Sequence, residues 1–224
     1  MSFKFLTFWG LLGPLSAVVG ANPQPPAPTE VRLSIATLHA AALTKARAAG
    51  DDTDSPFLLM SIIGPGGSVR ESNVPTTGQL TIHLDEALGA RPLTDLQLQP
   101  GDTVRLLVSL LEGPRTGQSE ESKVAASSTK ALTQDGDARA SLLASALSPV
   151  TRAGAHWIGS ASMLVTNENG TVYWRALDCI ATCKVLKGPA GALEPTGGRP
   201  MAGVIELSGD GGDYHLQLQG ERGS

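Results

Sequence analysis

Hydrophobic and polar residues alternate with a period of two along most of the chain. The segment EVRLSIATL places Val31, Leu33 and Ile35 on one side, with Thr37 next in that series. PFLLMSII is a continuous apolar run that ends at GPGG, which is typical of a buried strand followed by a turn. GQLTIHL alternates again, and TDLQLQPGDTVRLLVSLLEGP contains two strands separated by the turn-forming tripeptide PGD. The pattern predicts a protein made mainly of short strands.

Two segments have the form of β-hairpins. In ASMLVTNENGTVYWRAL, the dipeptide Asn169-Gly170 separates two alternating runs. Both residues tolerate a positive φ, so this dipeptide favours a type I′ turn. GVIELSGDGGDYHLQLQG predicts a second hairpin near the C-terminus. Hairpins make neighbouring strands antiparallel.

Residues 117–148 depart from this pattern because they are rich in Ser, Ala, Lys and Glu. Within them, DARASLLASALSP predicts one short helix, with Asp137 as its cap. Its expected apolar stripe consists of Leu142, Leu143, Ala146 and Leu147. Pro149 is expected to end that helix. About eight strands and a single helix in a partly mobile insertion indicate an all-β fold, an antiparallel β-sandwich.

The N-terminus has the layout of a secretory signal peptide. Lys4 precedes an almost wholly apolar run, which ends at small residues suited to a signal peptidase. We expect residues 1–21 to be the signal peptide, 22–30 a Pro-rich leader, and 31–220 a single β-sandwich domain. A membrane anchor is the alternative, but it needs about 20 apolar residues, and glycine and proline interrupt this run. The expected location is secreted or periplasmic, with no transmembrane segment after the signal is removed.

Charge argues against nucleic acid as a partner. The chain has 17 Lys and Arg against 21 Asp and Glu, and no run of basic residues. Nucleic-acid-binding proteins concentrate Lys and Arg on the surface that follows the phosphates.

Cys179 and Cys183 stand close together in LDCIATCKV. In an exported protein a pair of cysteines usually forms a disulfide. Along an extended strand their Cα atoms would be about 13 Å apart, whereas a disulfide requires less than about 7 Å. A disulfide therefore requires a tight turn at residues 180–182. A redox or metal-binding pair is the alternative.

The sequence contains none of the common catalytic signatures. GxSxG, HExxH, the P-loop and GxGxxG are all missing. Ser127 and Lys130 fit SxxK, but they lie in a low-complexity Ser/Ala stretch without the accompanying SDN or KTG. We therefore assign no catalytic, cofactor-binding or metal-binding residue. The four histidines are widely separated in sequence: His39, His83, His156 and His215.

Three aspartates crowd the segment AGDDTDSPFLLMS: Asp51, Asp52 and Asp54. Loop carboxylates are the ligands that Ca²⁺ prefers, and this ion takes six to eight oxygens. Aspartates are also common in solvated turns, where they accept hydrogen bonds from backbone amides. The pattern favours the turn but leaves both interpretations open.

The order of the predicted strands and loops along the chain resembles that of a C2 domain. VRLSIATL leads to GDDTDSPFLL, as the family's first strand leads to an acidic loop and Asp-Pro-Tyr. HWIGSASML, NENG and YWRAL then follow in the family's order. The resemblance implies an eight-stranded sandwich whose loops at one end often bind calcium and phospholipid.

The expected calcium ligands are mostly missing from that pattern. Ser55 and Glu112 stand where the family places aspartates, and His156 and Trp157 stand where acids are usual. The resemblance therefore implies a calcium-independent domain. Other acids would restore ligands only by folding beside residues 51–54: Asp135, Asp137, Asp210 and Asp213.

Three functions follow from these observations. The leading hypothesis is a non-catalytic, secreted or periplasmic β-sandwich that binds a protein, a glycan or a lipid. The first alternative is a calcium-dependent membrane-binding module of C2 type. The second is a hydrolase with a dispersed site, built from residues such as His156, Asp51 and Ser127.

Overall fold

Two six-stranded antiparallel sheets face each other, as the alternating pattern predicted. The computed structural model describes residues 27–44, 52–134, 136–195 and 198–223. The front sheet contains β1 (Thr29–Ala42), β6 (Ala87–Leu88), β7 (Arg91–Leu98), β11 (Cys183–Ala190), β13 (Met201–Leu207) and β14 (Asp213–Arg222). The back sheet contains β3 (Pro56–Ile63), β4 (Val69–Val74), β8 (Thr103–Glu112), β9 (His156–Glu168), β10 (Thr171–Ala181) and β12 (Ala192–Leu193). The all-β sandwich is confirmed.

The strand order brings distant parts of the chain together. The front sheet runs β11-β13-β14-β1-β6, and β7 also pairs with β1. The back sheet runs β12-β10-β9-β8-β3-β4. Inward side chains of both sheets form one apolar core, in which Leu33, Leu216, Met60 and Leu106 are almost fully buried. The first and last long strands therefore lie side by side at the centre of the front sheet.

A register shift in β1 changes which of its residues face the core. Val31, Leu33 and Ile35 are buried, as predicted. The pairing of β1 with β14 then slips by one residue between Ile35 and Thr37. Such a bulge reverses the inward and outward positions of the residues after it. Leu38 is consequently buried, and the prediction that Thr37 continues the inward series is wrong.

The predicted turns are confirmed. Asn169 and Gly170 have φ values of 54° and 92°, so both occupy the positive region that a type I′ turn requires. β13 and β14 form the second hairpin. Gly101, in the predicted PGD turn, has a φ of 91° and connects β7 of the front sheet with β8 of the back sheet.

One predicted strand is largely irregular. In GQLTIHL only β5 (Ile82–His83) is extended, and it pairs with β2 (Thr53–Asp54) in a separate two-stranded sheet. Ile82 is fully buried, whereas Leu84 is 53% exposed. A single core contact does not sustain a strand, so the local alternation overestimated this element.

The cysteine pair forms the predicted disulfide. Cys179 and Cys183 are bonded, with their Cα atoms 5.5 Å apart. Thr182 makes the tight turn between β10 and β11, with a φ of 48°. Its hydroxyl donates to the Ile158 carbonyl over 2.6 Å, and its own carbonyl accepts from the Ser208 amide over 2.8 Å. The closed turn is thus held against β9 and the end of β13.

The insertion carries two α-helices rather than one, which corrects the prediction. They are α1 (Gln118–Ser128) and α2 (Asp137–Arg152), with a 3-10 segment at Thr129–Thr133 between them. The N-cap of α2 is Gly136, and Asp137 is the first helical residue rather than the cap. Leu143 and Leu147 are buried as expected, whereas Leu142 is exposed, so its place in the apolar stripe is wrong. Pro149 lies inside α2, one turn before its end. The missing amide there removes only one helical hydrogen bond, and burial of Leu147 and Val150 keeps the chain helical as far as Arg152.

Both helices pack on the outer side of the back sheet. Phe57, Leu59 and Leu107 point outward from that sheet and form a second apolar cluster with Leu143 and Leu147 of α2. The sequence pattern anticipated this arrangement, because β3 is apolar at every position but Ser61 instead of alternating. The described part of the chain thus forms three layers: front sheet, back sheet and helices.

Candidate functional site

The predicted acidic turn divides into an exposed and a buried part. Asp51 lies outside the described residues. The Asp52 side chain is 86% exposed, with a carboxylate oxygen 3.8 Å from Nδ1 of His83. Asp54 is instead only 1% exposed. The expectation of a solvated turn therefore agrees with the exposure of Asp52 and is wrong for Asp54.

Asp54 belongs to a buried polar network. The Thr44 amide donates to Oδ2 over 2.8 Å, and the Thr44 hydroxyl donates to Oδ1 over 3.2 Å. The Tyr214 hydroxyl also donates to Oδ2. Burial raises the pKa of Tyr214 far above its ordinary value, and the hydrogen bond to Asp54 raises it further. With both oxygens already hydrogen-bonded, Asp54 connects the end of β1 to β14.

Glu112 and His156 pair across β8 and β9 at the same end of the sandwich. Burial raises the pKa of Glu112, and the negative charge of Asp54 raises it further. Nδ1 of His156 forms an ion pair with Asp210, in the turn between β13 and β14. Three of the acids considered as ligands thus gather at one end, but the described side chains there form no group that could hold a metal ion. The C2 resemblance and the calcium-dependent function stay predictions.

In the described structure, the remaining acids considered as ligands do not join this group of side chains. Asp135 lies outside the described residues, and Asp137 is exposed at the start of α2. Asp213 projects from the outer side of the front sheet, on β14.

The side chains proposed for a dispersed hydrolase site have separate partners. The Ser127 hydroxyl donates to the Val124 carbonyl within α1 over 2.9 Å. His156 is paired with Asp210, and Lys130 is exposed. Asp51 again lies outside the described residues. The described contacts therefore bring none of these side chains together.

The helices leave the outer side of the front sheet uncovered. Both α-helices contact the back sheet, and the outward residues of β1, β13 and β14 are all partly or fully exposed. We call the outward side chains of the front sheet the open face. Strands spaced about 4.8 Å apart, with a rise of about 3.4 Å per residue, give this five-strand surface an area of roughly 800 Å².

Two histidines and two acids meet near one end of the open face. His215 on β14 lies directly opposite Glu206 on β13 and opposite His39 on β1. The imidazole centroids of His39 and His215 are 5.7 Å apart. Asp213 lies two residues before His215 on the same side of β14. We call these four residues the His–acid cluster.

A shallow pocket of about 360 Å³ lies toward the other end of the open face. Its polar lining comes from Arg32, Ser34, Arg91, Gln219 and Glu221. Gln219 is four residues beyond His215 along β14, or about 13 Å at the usual rise per residue. The pocket and the His–acid cluster therefore lie on one continuous surface.

The sequence contained part of the signal for this face. The alternation in DYHLQLQ places Asp213 and His215 on one side of a strand, and in the structure His215 lies directly opposite His39. The partnership of His215 with His39 depends on pairing the two ends of the chain and on the bulge in β1. Nothing local in the sequence specifies either feature.

No described helix is both long enough and apolar enough to cross a membrane. In comparisons with known proteins, no family model, no curated protein and no solved structure matches the chain.

Proposed function

We propose that this chain is an exported, non-catalytic β-sandwich that binds a protein partner through the open face. One observation carries the proposal. The insertion helices cover the outer side of the back sheet, whereas no described element covers the matching side of the front sheet. A sheet needs only one apolar face to join the core, so the open face is available for binding.

The chemistry of the open face favours a protein over a glycan or a lipid. Its described strands direct no Phe, Tyr or Trp outward, so they offer no aromatic ring for stacking against a sugar. Among the described residues, four large apolar side chains exceed a third of full exposure, and they are dispersed over the fold rather than grouped for membrane insertion: Val69, Leu84, Leu142 and Leu186. Arg32, Arg91, Glu206 and Glu221 instead offer both signs of charge. Mixed polar surfaces of this kind are typical of non-obligate protein interfaces.

The size of the open face is also appropriate. A stable protein interface buries about 800 Å² on each partner, and the open face has roughly that area. The pocket lined by Arg32 and Gln219 would accept one side chain of the partner, which is how binding energy is usually concentrated at an interface.

Export is supported by the disulfide between Cys179 and Cys183, since such bonds persist in oxidising compartments. The proposed signal peptide lies outside the described residues, so it stays a sequence-based prediction.

The test is capture with a matched pair of variants. Gln217 lies between the His–acid cluster and the pocket, so Gln217→Arg places a long charged side chain in the middle of the open face. Lys123→Glu alters an exposed position on α1, on the opposite side of the molecule. We expect the wild-type chain and Lys123→Glu to capture the same envelope or secreted protein by cross-linking, and Gln217→Arg to lose it.

Three results would contradict the proposal. The first is equal capture by Gln217→Arg and the wild-type chain. The second is binding to a glycan array or to anionic vesicles without any protein partner. The third is turnover of a substrate by the purified chain.

A further inference from the structure

Three adjacent strands place metal-ligating side chains in one row across the open face. Glu206, His215 and His39 occupy directly opposed positions on β13, β14 and β1. Regular strands hold such positions more rigidly than a loop would, and rigid placement reduces the cost of assembling a metal site.

The spacing suits a small ion. One ligand atom from each of Glu206, Asp213 and His215 can be chosen so that all three lie within 4.8 Å of one another. Ligand bonds of about 2.0–2.2 Å in tetrahedral geometry put ligand atoms about 3.3–3.6 Å apart. Small side-chain rotations therefore suffice to close the three groups around one ion.

A second observation points to a ligand at the same place. Oδ1 of Asp213 is buried and has no hydrogen-bond partner within the described structure. A buried carboxylate oxygen without a partner carries a free-energy cost. A cation bound between Asp213 and its neighbours removes that cost.

The donor set indicates the class of ion. Imidazole nitrogens suit zinc and its transition-metal neighbours, whereas calcium and magnesium prefer sites made only of oxygens. His215 lies within the group. The ring of His39 lies 5.7 Å from that of His215 between centroids, so rotation of its side chain would bring a ring nitrogen toward the group as a fourth ligand. Two nitrogens and two oxygens complete a tetrahedral zinc shell.

We propose that the His–acid cluster binds one divalent transition-metal ion, with zinc as the natural probe. Glu206, Asp213 and His215 are the primary ligands, and His39 is the fourth. The inference is independent of the proposed function, since it requires no protein partner.

Calorimetric titration of ZnCl₂ into the untagged chain, with its disulfide intact, tests the inference. We expect one ion per chain with a Kd below about 100 µM, and no comparable heat with CaCl₂. Glu206→Gln, Asp213→Asn and His215→Ala should each weaken zinc binding more than about tenfold, and His39→Ala should weaken it measurably. The melting temperature of each variant in EDTA shows that it still folds.

His83→Ala is the matched control, because it removes an exposed histidine from β5 and leaves the cluster intact. It should bind zinc as the wild-type chain does. A wild-type Kd above about 100 µM, or equal losses in His83→Ala and His215→Ala, overturns the inference. Unchanged zinc binding in Glu206→Gln or Asp213→Asn also overturns the inference. Unchanged zinc binding in His39→Ala would contradict the assignment of His39 as the fourth ligand. Running the capture experiment of the open face in EDTA removes zinc from it, so its failure is distinguishable from failure of the zinc titration.

Discussion

The hydrogen bond between Tyr214 and Asp54 gives the sharpest prediction about stability. Tyr214→Phe removes only the hydroxyl that donates to Oδ2 of Asp54. Tyr214 is 0% exposed and Asp54 is 1% exposed, so water cannot replace the lost donor without opening the core. The carboxylate keeps its two hydrogen bonds from Thr44, so the network is weakened rather than abolished.

A hydrogen bond to a charged group contributes about 1.5–3 kcal/mol. We therefore expect Tyr214→Phe to lower the free energy of unfolding by about 2 kcal/mol, with a fall in melting temperature of about 4–8 °C for a domain of this size. Urea denaturation at pH 7, followed by tryptophan fluorescence, measures the change, and the m-value should stay constant.

Tyr173→Phe is the matched control. Tyr173 lies on β10 with its ring 4.2 Å from the Arg175 guanidinium, and its side chain is only half-buried. Removal of its hydroxyl should change the free energy of unfolding by less than about 0.5 kcal/mol. A double-mutant cycle with Asp54→Asn should show coupling, because the two residues share one hydrogen bond. Equal and small effects of the two tyrosine variants would refute the assignment of the buried network.

Three further predictions concern other parts of the fold. The pKa of Glu112 in the folded chain is raised above its ordinary value of 4.5. Its favourable contribution to the free energy of unfolding is therefore present below pH 4.5 and is lost as the pH rises through the folded-state pKa. Glu112→Gln should therefore be more stable than the wild-type chain at pH 7 and no more stable at pH 4 in urea titrations. Arg115→Ala should cost about 3–5 kcal/mol, because it leaves the fully buried Glu121 without its ion-pair partner, and adding Glu121→Gln should recover part of that loss in thermal melts. Gly159→Ala should lower the melting temperature, because its Cβ would lie 2.7 Å from the carbonyl oxygen of Thr182; unchanged stability would contradict this close approach.

The burial of Asp54 explains why the expectation of a solvated turn was wrong for that residue. From sequence, Asp52 and Asp54 are two equivalent polar residues of one loop. In the fold, pairing of β2 with β5 and the approach of Tyr214 enclose Asp54, while Asp52 stays in solvent. The difference arises because β5, the Tyr214 hydroxyl and the Thr44 amide come from three separate segments and converge on one carboxylate. Such convergence is a property of long-range packing and has no local signature.

The sequence by itself determined the features that depend on neighbouring residues. Alternation and apolar runs specified most of the long strands, Asn169-Gly170 specified a turn with two positive φ values, and a disulfide between Cys179 and Cys183 required a tight turn. Each of these follows from steric preferences and hydrophobic burial over a few residues.

Only the tertiary structure decided where the open face and its His–acid cluster lie. The insertion helices pack on the back sheet. Pairing of the first and last long strands places His39 directly opposite His215. The bulge after Ile35 then turned His39 outward, since an unbroken alternation would have directed it into the core. These outcomes depend on strand register and on which apolar surfaces meet, and both are set by the free energy of the whole core rather than by any short segment.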